Sequence, residues 1–267
     1  MKKFIYVLLA VVFVIGCYAA IYYYWKSLEQ ITEPVQTAQV ETPVESPPVV
    51  EEKKPLHALV ETVPAELPPL EESDHYVLDA LNGLLDSSLL TYLNLERVIH
   101  NVVATIDNLP RDKVAVNMLP IQPAKGKFLV EGHDDDLTIS PKNAARYERY
   151  IKLAEALDTK KLVAMYIKMY PLFQRAYVEI GYPDRYFNDR LLTVIDHLLD
   201  APEIQEPVKL VQPIVFYVFA DPKIEQLSIG QRIMVRIGYD NEIKLKTKLK
   251  EIQKELVEHI HMGEIPV

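Results

Sequence analysis

The densest group of side chains that could do chemistry lies at residues 182–190, which have the sequence YPDRYFNDR. Asp184 precedes a helical apolar pattern and belongs to a residue type that commonly caps helices. Asn188, Asp189 and Arg190 follow it and could form a hydrogen-bonded network, because they bring amide, carboxylate and guanidinium groups together. The segment therefore predicts a polar and aromatic cluster at the start of a helix.

Two carboxylates of this helix are the candidates for acid–base chemistry. Asp189, Thr193, Asp196 and Asp200 are spaced by 4, 3 and 4 residues, which places them on one helical face. Paired carboxylates can act as acid and base when burial separates their pKa values. The favoured interpretation is a capped helix with a solvated acidic face, because structural networks resemble catalytic sites. A third possibility is that Asp189 and Arg190 form a buried ion pair.

Two further acidic groups have simple explanations. Asp107 and Asn108 follow a helical pattern, and such residues stabilise turns through bonds from side chain to backbone. Residues 134–136 are three aspartates next to His133, which suggests a cation site. They lack the alternating ligand spacing and the later glutamate of a calcium loop, so we expect a solvated turn.

The last helix carries lysines that could meet an anionic lipid or an acidic partner. The lysines at residues 244–254 are mixed with glutamates, however, which favours an ordinary solvated face. His259 and His261 supply two possible metal ligands in a terminal segment, and two ligands do not complete a site. We find no phosphate-binding loop, nucleophile elbow, dinucleotide turn or zinc-protease motif, and we predict no cofactor.

Composition excludes several classes of protein. The chain has 267 residues with 29 Lys+Arg against 38 Asp+Glu, a net charge of −9. An acidic chain of this kind is a poor nucleic-acid binder, because binding needs a concentrated basic surface. The single cysteine excludes an internal disulfide framework and a thiolate zinc site.

Residues 4–25, close to the amino terminus, form an uncharged run of 22 residues. As a helix it would extend about 33 Å, enough for a bilayer core of roughly 30 Å. Lys2 and Lys3 precede it and acidic residues follow it, which predicts a cytoplasmic amino terminus and an exported remainder. A cleaved signal peptide and a lipoprotein acylated at Cys17 are the alternatives. The apolar run continues well past both possible processing points, which favours an uncleaved single-pass anchor.

Residues 26–70 form a proline-rich linker. They contain no glycine and carry 3 lysines against 8 glutamates, a net charge of −5. Proline prevents helix and sheet from propagating, so an extended, semi-rigid spacer is expected. Fully extended as polyproline II, the 45 residues would reach at most roughly 140 Å. A docking strip for a proline-recognising domain is the less favoured alternative, because no clean P-x-x-P motif has a basic flank.

Residues 71–267 show mainly helical periodicity and are long enough for a substantial core. Helix starts are predicted at Ser73 or Asp74, at Ser140, at Asp158 or Thr159, at Asp184, at Ser228 and at Asp240. A further helix should carry Leu93 to Ile106, and Pro171 should kink the helix that Gly181 ends. Short extended segments are expected at residues 128–130 and 208–219. The predicted fold class is mainly α, one bundle-like domain with minor β structure.

Several blocks of this domain resemble a known family. LPPLEESD, ATIDNLPRDKV, YPLFQRAYVEIGYPDRYFNDRLLTVIDHLL and FADP-x(5)-LSIGQRIMVRIG occur in this order within about 190 residues. Together they are similar to the domain of unknown function 3014 family. The resemblance implies a bacterial envelope protein with an amino-terminal anchor and a proline-rich linker, and it carries no assigned activity.

The sequence favours a non-enzymatic interaction domain over an enzyme. We expect an inner-membrane protein whose carboxyl-terminal domain lies in the periplasm and binds an envelope protein or a cell-wall polymer. The predicted binding groove is lined by Tyr170, Tyr177, Tyr182 and Tyr186, beside the polar cluster described above. The alternative is a hydrolase or lyase that acts on an envelope polymer through Asp189 or Asp196.

Overall fold

Helices make up most of the described chain in this computed structural model, which describes residues 67–113, 118–133, 136–205 and 207–263. The predicted fold class is therefore confirmed for the domain. The predicted anchor at residues 4–25 and most of the predicted linker lie outside the described residues. Among the helices of the described ranges, none combines the length and the apolar character needed to cross a membrane.

The elements follow each other along the chain with short strands between the helices. The helices are α1 (Ser73–Asn82), α2 (Ser87–Leu90), α3 (Val98–Asn108), α4 (Glu148–Ala156), α5 (Thr159–Glu179), α6 (Phe187–Leu199), α7 (Pro222–Glu225), α8 (Ile229–Ile237) and α9 (Tyr239–Gly263). The antiparallel strand pairs are β1 (Val130–Glu131) with β2 (Thr138–Ile139), and β3 (Leu210–Val211) with β4 (Val218–Phe219). Two 3-10 helices precede α1 and α4, at Leu70–Glu72 and Pro141–Arg146.

The core lies where α3, α5, α6 and α9 pack together, with α1 against α3. Apolar side chains recur along each helix at helical spacing, so one face of each is buried in a common cluster. Leu70 is 3% exposed and belongs to this cluster. The last residue of the predicted linker therefore packs in the core, and the boundary at residue 71 stays a prediction.

The long central helix α5 begins and ends as the sequence predicts. The Asp158 carboxylate accepts a hydrogen bond from the Lys161 amide at 3.0 Å, which satisfies a free donor of the first turn. Gly181 has φ +112° and its amide donates to the Val178 carbonyl, which ends the helix. Pro171 does not interrupt α5, which runs through it as one helix to Glu179.

Two predicted caps are wrong because their partners come from elsewhere in the chain. Asp74 does not cap α1, whose amino-terminal flanking residue is Glu72. Its carboxylate instead accepts hydrogen bonds from the Arg97 and Val98 amides at 2.7 and 2.9 Å, and so caps α3. Arg97 has φ +49°, which turns the chain into α3 at Val98 rather than near Leu93 as predicted.

The second wrong cap is Asp184, because α6 begins at Phe187 and has no local side-chain cap. Gln174 of α5 serves this helix end. Its side-chain oxygen accepts a hydrogen bond from the Phe187 amide at 2.8 Å, and its nitrogen donates to the Arg185 carbonyl. The first turn of α6 is therefore fixed to the middle of α5.

Candidate functional site

Two residues of the predicted cluster, Tyr182 and Arg190, contact one carboxylate, Asp107, in the last turn of α3. Asp107 is 3% exposed. One oxygen accepts a hydrogen bond from Arg190 Nε at 3.0 Å, and the other accepts from the Tyr182 hydroxyl and pairs with Arg111. Arg190 Nη2 also donates to the Asp107 main-chain carbonyl at 2.7 Å. We call these four residues the Asp107 cluster.

The cluster joins three parts of the fold. Arg190 comes from the first turn of α6, and Tyr182 comes from the connection between α5 and α6. The Tyr182 ring stacks on Tyr177 of α5 with centroids 4.6 Å apart, and the Arg185 guanidinium lies over its ring. Burial, and next the charge of Asp107, raise the pKa of Tyr177. Both carboxylate oxygens of Asp107 already accept hydrogen bonds from the protein. This carboxylate is therefore suited to holding helices together rather than to proton transfer.

The segment after Asp107 is fixed to the start of α8. The Ile229 amide donates to the Arg111 carbonyl at 2.7 Å, and the Gly230 amide donates to the Leu109 carbonyl at 2.9 Å. A Cβ atom on Gly230 would lie 2.9 Å from that same carbonyl oxygen, so only glycine allows this close approach. The predicted simple turn at residues 107–113 is therefore a contact between three helix ends, and local sequence spacing carries no signal of the distant partners.

The four tyrosines of the predicted groove do not share one surface. Tyr177 is 2% exposed and belongs to the core, so it offers no surface to a ligand. Tyr170 is half-buried; its hydroxyl donates to Gln174, and burial raises its pKa to about 12. Tyr182 and Tyr186 are partly exposed. The proposed role of these residues in binding stays a prediction, and Tyr177 does not line a surface groove.

The polar candidates of α6 divide between the core and the solvent. Asn188 is fully buried and accepts a hydrogen bond from the Tyr166 hydroxyl at 3.2 Å. Arg190 pairs with Asp107 of α3, which lies 83 positions earlier in the chain. Asp189 is half-buried, and its main-chain carbonyl accepts a hydrogen bond from Thr193.

Asp196 is exposed, and its carboxylate accepts a hydrogen bond from Gln253 of α9. Neither Asp189 nor Asp196 lines either of the two cavities described below. The hydrolase or lyase alternative therefore stays an untested prediction without geometric support.

No group of three or more His, Cys, Asp or Glu side chains within the described ranges could hold a metal ion. Of the acidic turn, Asp134 and Asp135 lie outside these ranges, and Asp136 pairs with Lys209. The His261 side chain is outside the description as well, while His259 Nδ1 bonds to the Glu255 carbonyl.

An exposed apolar segment lies between β3 and β4. Ile214, Val215 and Phe216 are 87%, 66% and 81% exposed, and we call them the hairpin tip. The base of this hairpin is well packed, because Leu210 and Phe219 are buried against α8. The sequence predicted only an extended segment here. Its signal was the uncharged run QPIVFY, which includes a strand-breaking proline.

An apolar cavity of about 420 Å³, partly open to the solvent, lies in the helical core. Side chains of α1, α3, α4, α5, α6 and α9 line it, together with residues of the loops at 93–95 and 120–121. A second cleft, of about 650 Å³, lies between α4 and the junction of α8 and α9 and is lined by charged residues of both signs.

The comparison with known families agrees with the resemblance seen in the sequence. Residues 98–253, more than half of the chain, match the model of the family described as "Protein of unknown function (DUF3014)". The match begins at α3 and so includes the Asp107 cluster and the hairpin tip. No curated protein and no solved structure matches the chain. The chain therefore belongs to this family of proteins of unknown function.

Proposed function

We propose that the protein is a non-enzymatic interaction domain, tethered to the bacterial inner membrane by residues 4–25 and held in the periplasm by the proline-rich linker. The domain binds another envelope protein by inserting its hairpin tip into an apolar pocket. The exposure of three consecutive large apolar side chains is the observation that carries the proposal. Exposed apolar groups in a contiguous patch are typical of interaction sites.

Contacts within the hairpin and at its base hold the hairpin tip in a position where its side chains are exposed. Gln212 bonds to the Val215 carbonyl at 2.9 Å, and the strands below pair in register. Arg236 lies over the rings of Phe128 and Phe219, at 5.6 and 5.2 Å from their centroids, which braces the hairpin base. A rigid base lowers the entropy that binding would cost.

The size of the tip indicates the strength of the contact. Burying one large aliphatic or aromatic side chain contributes about 2 kcal/mol, so three contribute roughly 6 kcal/mol before the costs of association. That amount alone gives a weak, reversible complex. The linker raises the local concentration of the domain near the membrane, which makes a weak contact effective.

A protein pocket suits the tip better than a lipid surface or a glycan. The domain carries 24 basic and 30 acidic residues and the linker adds five more negative charges, so anionic lipids would repel it. A hydrated cell-wall polymer offers few apolar cavities, whereas protein pockets are lined mainly by apolar side chains. An envelope protein is therefore the favoured partner.

Photo-crosslinking of the full chain in intact cells tests the proposal. A photoreactive phenylalanine analogue at position 216 should give one protein adduct of defined mass. The same label at Val178 of α5, which is 38% exposed, is the matched control and should give none. Adducts with lipid only, or identical adducts from both positions, would overturn the docking proposal. A carboxyl-terminal reporter that is active only in the cytosol would overturn the location.

A further inference from the structure

We propose that the apolar cavity binds the hydrocarbon chain of a single-chain anionic amphiphile, whose acidic head group is held by Arg149. This site is separate from the hairpin tip, and the inference does not depend on the proposed docking function. It rests on the lining of the cavity, on the place where the cavity approaches the solvent, and on the charges beside that place.

The lining of the cavity excludes polar ligands. Its side chains are aliphatic or aromatic, with Asn94 as the single amide and without a charged residue among the described lining. Tyr166 also lines the cavity, and its hydroxyl already donates a hydrogen bond to Asn188. A bound water needs two to four polar partners, so the cavity is dry when empty. A sugar or a nucleotide would find no partner in it, whereas a hydrocarbon chain would.

The volume fits one chain. Ligand pockets usually measure about 300–1,000 Å³, and about 420 Å³ lies within this range. An apolar cavity of about 150 Å³ takes up one benzene molecule, so this cavity has room for roughly 17 carbon atoms. A lipid with two long chains would not fit.

The cavity approaches the solvent where two loop segments cross. Leu93 and Ile121 line the cavity and form an isolated antiparallel bridge, and Ile121 is 37% exposed. The Asn94 amide donates to the Pro120 carbonyl at 2.9 Å, and the Gln122 amide donates to the Tyr92 carbonyl at 2.8 Å. We call these two segments, residues 92–94 and 120–122, the cavity mouth.

Arg149 of α4 lies beside the cavity mouth. Its guanidinium lies 5.4 Å from the centroid of the Tyr92 ring and 4.8 Å from that of Tyr150. One nitrogen donates to the Pro123 carbonyl at 3.2 Å and to the Tyr150 hydroxyl at 2.7 Å, and that hydroxyl donates to the Gln122 carbonyl. The charge is therefore placed within two residues of Ile121 by contacts to the mouth itself.

The charge of Arg149 has no carboxylate partner within 4 Å among the described residues, and its Nε atom is buried without a hydrogen-bond acceptor. Lys125 and Lys127 follow in the same loop, and Arg146 bonds to the carbonyls of that loop. Glu148 is the one acidic neighbour on the same turn of α4. The positive excess at the mouth favours a carboxylate or phosphate head group.

Two sources supply such a molecule, a free fatty acid and a lysophospholipid. The shared chemistry is one long chain with an acidic head. The full chain should be placed in nanodiscs of neutral phosphatidylcholine, with protein-free nanodiscs as the background. Radiolabelled palmitate, 16-carbon lysophosphatidylglycerol and hexadecanol are then titrated separately. If palmitate binds more tightly than lysophosphatidylglycerol, the ligand is a free fatty acid. If lysophosphatidylglycerol binds more tightly, it is a lysophospholipid.

The proposal expects saturable binding of one acidic amphiphile per chain above the background. Arg149→Gln should weaken binding of the acid roughly ten- to hundredfold and leave the binding of hexadecanol unchanged. Arg185→Gln is the matched control, because it removes another guanidinium that lies over a tyrosine ring but is far along the chain from the cavity mouth. It should change neither the binding of the acid nor the binding of hexadecanol. Val102→Trp fills the cavity and should abolish binding of all three probes.

Three results would overturn the proposal. Binding that does not exceed that of protein-free nanodiscs would remove the site. If Arg149→Gln and Arg185→Gln change the affinity for the acidic probe equally, Arg149 does not hold the head group. Full binding by a folded Val102→Trp protein would place the chain outside the cavity. Arg149 is half-buried and lies outside the apolar lining, so its variant keeps the test informative even if Val102→Trp fails to fold.

Discussion

Replacing Asp107 with asparagine should destabilise the domain more than any other single carboxylate-to-amide change in α3 or α6. The carboxylate accepts hydrogen bonds from Arg190 and Tyr182 and pairs with Arg111. Asparagine keeps the shape but removes the charge, and its amide group turns one acceptor into a donor that faces a guanidinium. The variant therefore leaves two arginines without their anion.

The magnitude follows from the burial of the partners. Breaking a fully buried ion pair costs about 3–5 kcal/mol. The Asp107 side chain is 5% exposed, but Arg190 is 25% and Arg111 is 52% exposed, so water compensates part of the lost interaction. We expect a loss of about 2–3 kcal/mol in the free energy of unfolding. For a domain of this size the melting temperature would fall by roughly 5–10 °C.

Thermal unfolding of the purified full chain, followed by far-ultraviolet circular dichroism, measures this effect. Asp196→Asn is the matched control, because the same chemical change is made at an exposed position of α6 and should alter stability by about 0.5 kcal/mol or less. Arg190→Gln should fall between the two variants. If Asp107→Asn melts together with Asp196→Asn, the cluster does not hold the helices and the reasoning is wrong.

Three further perturbations test other contacts of the domain. Gly230→Ala would place its Cβ 2.9 Å from the Leu109 carbonyl oxygen, and we expect a loss of about 1–3 kcal/mol in a urea unfolding experiment. Bonds from Arg175 and then His100 lower the pKa of Glu179, so its stabilisation is present above the unfolded pKa and is lost as the pH falls through the lowered pKa of the folded state. Glu179→Gln should therefore make the decline of the urea midpoint between pH 7 and pH 3 shallower, and an unchanged slope would contradict the assignment. Lys246 is 4% and Glu242 is 1% exposed in their side chains, so Lys246→Met should cost about 3–5 kcal/mol by leaving a buried carboxylate without its main cation.

The same Lys246 side chain determines the behaviour at alkaline pH. Burial alone would lower its pKa, but hydrogen bonds to Glu203 and Glu242 raise the pKa overall. A raised pKa in the folded state means that the stabilisation is complete below the unfolded pKa and is lost as the pH rises through the folded value. Unfolding midpoints of the wild type should therefore decline as the pH rises above the ordinary lysine pKa of 10.5, and the decline should be smaller in Lys246→Met.

Helix boundaries were predictable where the capping contact is local. Asp158 and Ser228 each accept a hydrogen bond from an amide three residues later, and both start a helix as expected. Asp74 belongs to the same class of residue but caps a helix that begins 24 residues later, at Val98. Sequence spacing carries no information on such a partner, because it depends on how α1 and α3 pack.

The candidate site could be predicted in composition but not in pairing. The sequence singled out Arg190 as a member of a possible network and named the adjacent Asp189 as one possible ion partner. The structure adds Asp107, 83 positions earlier, where α3 and α6 pack together. Likewise, the uncharged run at the hairpin tip could have been buried or exposed, and only the packing of Leu210 and Phe219 decides which side chains remain outside.

The Asp107 cluster and the apolar cavity are parts of one arrangement of helices. Ile106 of α3 and Leu191 of α6 line the cavity, and each is the immediate chain neighbour of a residue in the ion pair. The pair between Asp107 and Arg190 therefore fixes the spacing of two cavity walls without touching a ligand. A cavity without polar lining has no directional bonds of its own to keep its walls apart, so its shape depends on polar contacts at the helix ends.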